Sequence, residues 1–307
     1  MNRQPANGLA DSPAIFPQTS NIMIKHKLTP AEKDLGGLMV SRLIPVVGHR
    51  NIGPFVFFDH FGPVDFAPGE GMDVGPHPHI GLSTVTYLFE GEILHRDSLG
   101  VVQAIEPGEI NLMVSGKGIV HSERTASGKR ETGQRLHGLQ LWLALPGKEE
   151  DCDPAFYHYN AARIPSLSEN GCQLKLLIGE AYGLHSPVFT QCPTLYFECH
   201  LEAGASLALP EDVVELGVFV ISGQLKVGHD TITQYQLAVL DTPQLETLTA
   251  SEQSHFVVIG GEPQGKRHIY WNFVSTSREK IEQAKQDWQL GHFSPVPGET
   301  GYIRLPG

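Results

Sequence analysis

The sequence is poor in cysteine, in basic residues and in long apolar runs, and each shortage removes a class of protein. Four cysteines occur in 307 residues, Cys152, Cys172, Cys192 and Cys199, with no CxxC pair. That spacing offers neither a disulfide framework nor a thiolate zinc site, and it suits a reducing, cytoplasmic setting. Lysine and arginine number 22 against 34 aspartates and glutamates, a formal charge of −12. Binding to a phosphate backbone draws on a basic surface, so direct nucleic-acid binding is not expected. No stretch approaches the roughly 18 consecutive apolar residues of a membrane-spanning helix. The first residues, broken by Pro5, Pro13 and Pro17, lack the apolar core of a signal peptide. Charged residues at 18% are too few for a disordered chain, and 40% hydrophobic residues suffice for packed cores. There is no P-loop, dinucleotide fingerprint or nucleophile elbow.

Glycine and proline, by contrast, are abundant at 33 and 22 residues. Without a Gly-X-Y period, that excess points to short strands joined by tight turns. Val85–Phe89, Ile110–Val114 and Leu139–Leu145 are short, apolar and bounded by turn residues. The rhythm returns at Leu174–Ile178, Leu195–Leu201, Val218–Ile221, Ala238–Leu240 and Phe256–Gly260. A phrase is also duplicated, Leu88-Phe89-Glu90-Gly91-Glu92-Ile93 against Val220-Ile221-Ser222-Gly223-Gln224-Leu225. The expectation is an all-β chain of two tandem barrels. Residues 1–21 form a flexible extension, 22–150 the first barrel, 151–168 a polar linker and 169–307 the second barrel. A helix closes the chain: Thr276-Ser277-Arg278-Glu279 reads as a capping box, Ile281, Ala284 and Trp288 share a face, and Gly291 stops it. Glu149-Glu150-Asp151 reads as a solvated acidic face.

The chemistry concentrates in two pairs. In His77-Pro78-His79 the imidazoles stand at i and i+2, on one side of an extended segment. Pro78 cannot donate to a ladder and places the segment at a sheet edge. His121-Ser122-Glu123 repeats the spacing after the turn Ser115-Gly116-Lys117-Gly118. Either pair alone reads most simply as ordinary structural residues. Facing each other, the pairs would offer three nitrogens and a carboxylate oxygen, a set suited to Fe(II), Ni, Cu or Zn with positions left open.

The order Gly71, five residues, His77-x-His79, strand, Gly91, strand, glycine turn, His121 resembles the two-part signature of the cupin superfamily. The usual cupin glutamate is replaced by Thr84, and a carboxylate stands instead at Glu123. With Gly53-Pro54-Phe55, Gly75-Pro76-His77-Pro78-His79, Ser115 to Glu123 and His137 to Trp142, this resembles the pirin family of bicupins. The resemblance implies two facing cupin barrels and one divalent ion in the first, held by His77, His79, His121 and Glu123. Iron is the leading choice, with Ni, Cu, Zn, Mn or Co as others. It further implies a dioxygenase that cleaves a flavonol such as quercetin with O₂, Glu123 serving as ligand and base. The alternative it implies is a non-catalytic, metal- or redox-responsive co-regulator with a protein partner. Asp59 is expected beside the ligands or in the pocket wall. His95-Arg96-Asp97-Ser98 reads as a strand-end turn. In the second half His200, His229 and His255 lack an HxH pair, so no metal is expected there.

Overall fold

A computed structural model of the chain describes residues 24–34, 38–240 and 247–306. The expected extension 1–21 lies outside the described residues. The first barrel combines a seven-stranded and a four-stranded sheet. The larger runs Ala155–Tyr159, Ile110–Val114, Leu82–Glu90, Gln134–Ala144, Phe55–Phe66, Met39–Ile44, Ala31–Asp34. The smaller runs Asp73–His79, Ile119–Arg124, Ile93–Asp97, Val102–Ile105. The second barrel repeats this plan, again with seven strands against four. The duplicated phrase holds in three dimensions. Gly91 and Gly223 each link two strands at φ 86° and 83°. A Cβ on either would sit 2.5 Å from a carbonyl oxygen, that of Arg135 or of Gln253, so only glycine fits both turns.

The two large sheets pack back to back. Phe58, Val85, Tyr87, Leu139 and Leu141 of the first share one core with Tyr196, Phe219, Leu237, Val257 and Ile259 of the second. Each such side chain sealed from water contributes about 1.5–3 kcal/mol. Alternate residues of the same strands face the first barrel's interior, so both faces are buried. That explains the unbroken apolar run Phe55-Val56-Phe57-Phe58.

The expected domain boundaries are crossed at both ends. Strand Ile24–Leu28, assigned to the first barrel, pairs with Leu237–Leu240 of the second. Helix Arg278–Leu290, assigned to the second, buries Ile281, Ala284 and Trp288 in a cluster with Ile80 and Val120 of the first. Residues 151–168 are more than a linker: Ala155–Tyr159 pairs with Ile110–Val114, and Ser166–Glu169 with Cys172–Ile178. Pro154 and Pro165 flank these strands and disguised them.

Two local readings also change. The helix cap is Ser277, whose Oγ accepts from the Lys280 N–H at 3.3 Å and donates to Glu279 Oε2 at 2.6 Å. Thr276 turns instead to Glu150, which is buried rather than solvated. Glu150 accepts from Ser275 Oγ, Thr276 N and Thr276 Oγ1 at 2.8–3.0 Å and pairs with Arg267 at 3.3 Å. It fixes the start of the helix to the first barrel. Among the described residues no helix is long and apolar enough to cross a membrane.

A histidine pair lies on the seam side of the first barrel. His60 and His137 approach at 2.9 Å between Nε2 atoms, with Phe219 of the second barrel against His60. Burial pushes His60 down to about 3 and His137 to about 4. The unfolded chain takes up these protons near pH 6.5, before the folded chain does, so stability falls as pH drops from 6.5 toward 4. Calorimetry of the metal-free chain at pH 7.5, 5.5 and 4.5 should show a falling Tm. The double variant His60→Gln/His137→Gln should show a shallower fall, and an unchanged slope would remove the pair from the acid response.

Candidate metal centre

Strand Asp73–His79 is an edge strand of the small sheet, as Pro78 requires, and pairs with Ile119–Arg124. The register sets His121 opposite His77 and Ile119 opposite His79. His77, His79 and His121 are all buried, and one ring nitrogen of each lies within 4.8 Å of the others. The structure thus brings together the three histidines that the sequence spacing singled out.

Hydrogen bonds assign the ring protons. His77 Nδ1–H donates to the Gly75 carbonyl at 2.8 Å, which leaves Nε2 with its lone pair. For His121 the assignment comes through a third residue. Asp97 Oδ2 accepts from His95 Nε2 at 3.0 Å, so His95 Nδ1 is an acceptor, and His121 Nδ1–H donates to it at 3.3 Å. His121 Nε2 is left bare, 3.1 Å from His79 Nε2. Burial is the leading cause that pushes all three histidines down, His77 to about 4 and the other two well below the ordinary imidazole value, with neighbouring imidazoles adding to it. Buried and neutral, with one ring nitrogen from each converging, the trio fits a divalent transition ion and leaves positions open.

Glu123 stands apart from the trio. The facing strand carries a bulge there: His121 faces His77 and Glu123 faces Val74, so Gly75 and Pro76 together oppose Ser122, while Ile119–Arg124 itself stays in register with Ile93–Asp97. Its carboxylate is not in the 4.8 Å group. It lines the same cavity, where Thr86 Oγ1 lies 3.5 Å from Oε1. Burial raises its pKa, opposed by His95 and Thr86. Asp59 is also in the cavity wall, but both its oxygens accept from Arg42, at 2.8 and 2.7 Å. It is committed to that guanidinium, which in turn sits 4.4 Å over the Phe57 ring.

The cavity measures about 560 Å³, within the usual range of small-molecule sites. Its walls are largely apolar and aromatic. Phe57 and Trp142 stack at 3.8 Å and 10°, and Trp142 meets the edge of His79. Trp271 and Ile303 reach it from the C-terminal region, Ile303 N–H donating to the Pro76 carbonyl at 2.8 Å. Sequence reading missed His95 as a partner of the site. Its turn assignment is sound, because Asp97 Oδ1 accepts from Leu99 and Val101 N–H at 2.9 and 3.1 Å. The other oxygen serves the metal centre.

Comparison with known proteins follows the geometry. A family model for pirin matches residues 37–143, and one for the pirin C-terminal cupin domain matches residues 196–294. A pirin-like protein of Caulobacter vibrioides is 46% identical over 288 residues, 92% of this chain and 100% of that protein. The chain belongs to the pirin family. Human pirin is 34% identical, across 82% of this chain and 87% of its own length. The crystal structure of a quercetin 2,3-dioxygenase from Acinetobacter baumannii matches with TM-score 0.84 and 33% identity, covering 92% of this chain and 95% of that one. Both barrels of the pirin fold are thus present.

In this pirin the Asp97–His95 pair orients His121, and such outer partners typically hold about 10–100-fold in metal affinity. His95→Ala should weaken metal binding by that factor in competition with a chromophoric chelator. Asp97→Asn, which keeps an oxygen for the turn but turns an NH₂ toward His95 and so reverses the proton order that leaves His121 Nε2 bare, should weaken it as well. Unchanged affinity in His95→Ala would show that the packing of His121 alone suffices.

Proposed function

We propose that the chain is a metal-dependent dioxygenase that opens a flavonol-like aromatic with O₂, releasing carbon monoxide as quercetin 2,3-dioxygenases do. The carrying observation is a buried three-histidine centre in the wall of an aromatic cavity that also holds a separately mounted carboxylate. Similarity over most of the chain to a solved quercetin 2,3-dioxygenase supports the substrate class. His77, His79 and His121 would hold the ion, Fe(II) first among the candidates, with Glu123 as its fourth donor. Bound there, the ion would stabilise the negative charge of an ionised enol and bring O₂ to it.

The protein's own part is positioning and proton transfer. Trp142, backed by Phe57, and Trp271 give the cavity wall aromatic surface for a planar ring system. Glu123, its pKa raised by burial, is a stronger base than an exposed carboxylate and takes the proton of the substrate hydroxyl. The apolar lining excludes water from the ionised substrate.

Anaerobic metal-loaded protein mixed with quercetin, then exposed to O₂, should release carbon monoxide in step with loss of the flavonol absorbance. Bound metal with unconsumed quercetin would leave the chain as a metal-responsive partner protein. Glu123→Gln should retain metal on the three histidines and lose about 10²–10⁴-fold in turnover. That deficit should shrink as pH rises toward ionisation of the flavonol itself, because a pre-ionised substrate needs no base. His121→Ala should lose most of the metal. Normal turnover by a metal-replete Glu123→Gln protein at neutral pH would eliminate the base role.

A further inference from the structure

A second group of metal-competent side chains meets far along the chain: Glu198, His200 and His255. Strand Thr194–Leu201 presents Glu198 and His200 two residues apart on one face. Strand Ser254–Gly261 sets His255 directly opposite His200. The construction repeats that of the first centre, an i, i+2 pair on one strand with a histidine across from one member. The alternating residues Phe197, Cys199 and Leu201 fill the second barrel's core, so Glu198 and His200 point out of it. Glu198 reaches the seam, where it meets Tyr87 of the first barrel.

The donor atoms converge. The rings of His200 and His255 stack at 3.9 Å and 13°. Both Nε2 atoms aim at one oxygen, Glu198 Oε1, from 3.6 and 2.8 Å. The other oxygen, Oε2, accepts from the Tyr87 hydroxyl at 2.6 Å and lies 3.5 Å from Lys175 Nζ. The carboxylate is thus anchored through Oε2 and offers Oε1. Glu198 is buried, whereas the His200 side chain is 47% exposed, so the group opens to water on one side.

We propose that Glu198, His200 and His255 form a second divalent-metal site, for zinc(II), nickel(II) or copper(II), at the seam between the barrels. Two imidazole nitrogens and one carboxylate oxygen suit these borderline ions, with water completing the shell. Each ring gives its Nε2 lone pair with the proton on Nδ1, and Glu198 Oε1 exchanges the His255 N–H for the cation. Lys175 places a positive charge beside the site and makes it the weaker of the two. The sequence concealed it because its strand pair is Glu-x-His rather than His-x-His. This site stands independently of the dioxygenase reading.

The test measures zinc(II) bound per full-length chain after dialysis against micromolar free metal. A His77→Ala/His79→Ala chain, stripped of the first centre, should keep one ion. Adding His200→Asn, a change at an exposed position, should abolish it, and adding Lys175→Gln instead should tighten it several-fold. In the unaltered chain, nickel(II) beyond the first equivalent should broaden the ring NMR signals of His200 and His255, which keeps the test open should the double variant fail to fold. A stripped chain that binds no zinc, an ion that survives His200→Asn, or ring signals untouched by nickel would each overturn the site.

Discussion

Everything in this molecule depends on one large sheet having two buried faces. The seven-stranded sheet of the first barrel packs against its counterpart on one side and lines the metal cavity on the other. A strand alternates its side chains between faces, so adjacent residues serve different purposes. Thr86 approaches Glu123 inside the barrel, while Tyr87, the next residue, holds Glu198 across the seam. A slip of one residue would exchange the two sets completely. The apolar seam thus fixes the register that the chemistry needs.

Inside the barrel, burial and geometry divide the labour. Removing three imidazoles from water keeps them neutral, which is the state in which they can give lone pairs. Glu123, two residues beyond His121 and opposite Val74, lines the same cavity without joining that trio. A carboxylate so placed is close enough to share the cavity but not fixed among the nitrogens.

The parts legible in the sequence were those written in short spacing. His77-x-His79, His121-x-Glu123 and the glycine turns around them lie within single strands and hairpins, where period-two geometry converts position into direction. The parts that were not legible depend on partners distant in the chain. Ile24–Leu28 could belong to either barrel until Leu237–Leu240 is seen beside it. Glu150 sits in an acidic run and reads as solvated, but the start of the C-terminal helix descends on it. Asp97 closes a turn with one oxygen and holds His95, and through it His121, with the other, so one motif masked the other. Cys172 and Cys199, apparently scattered, meet at 3.5 Å because neighbouring strands bring them together.

The crossed ends bear on how the protein is made. During synthesis strand Ile24–Leu28 emerges early and must wait for Leu237–Leu240, the edge it joins. The helix that covers Ile80 and Val120 emerges only after both barrels. A first barrel on the ribosome therefore carries a bare apolar patch, and its large sheet has nothing to lie against until the second barrel arrives. Exposed surface of that kind is what chaperones bind and what drives aggregation of incomplete chains. Neither barrel is a separable module; each is finished by a piece of chain from the other's end of the sequence.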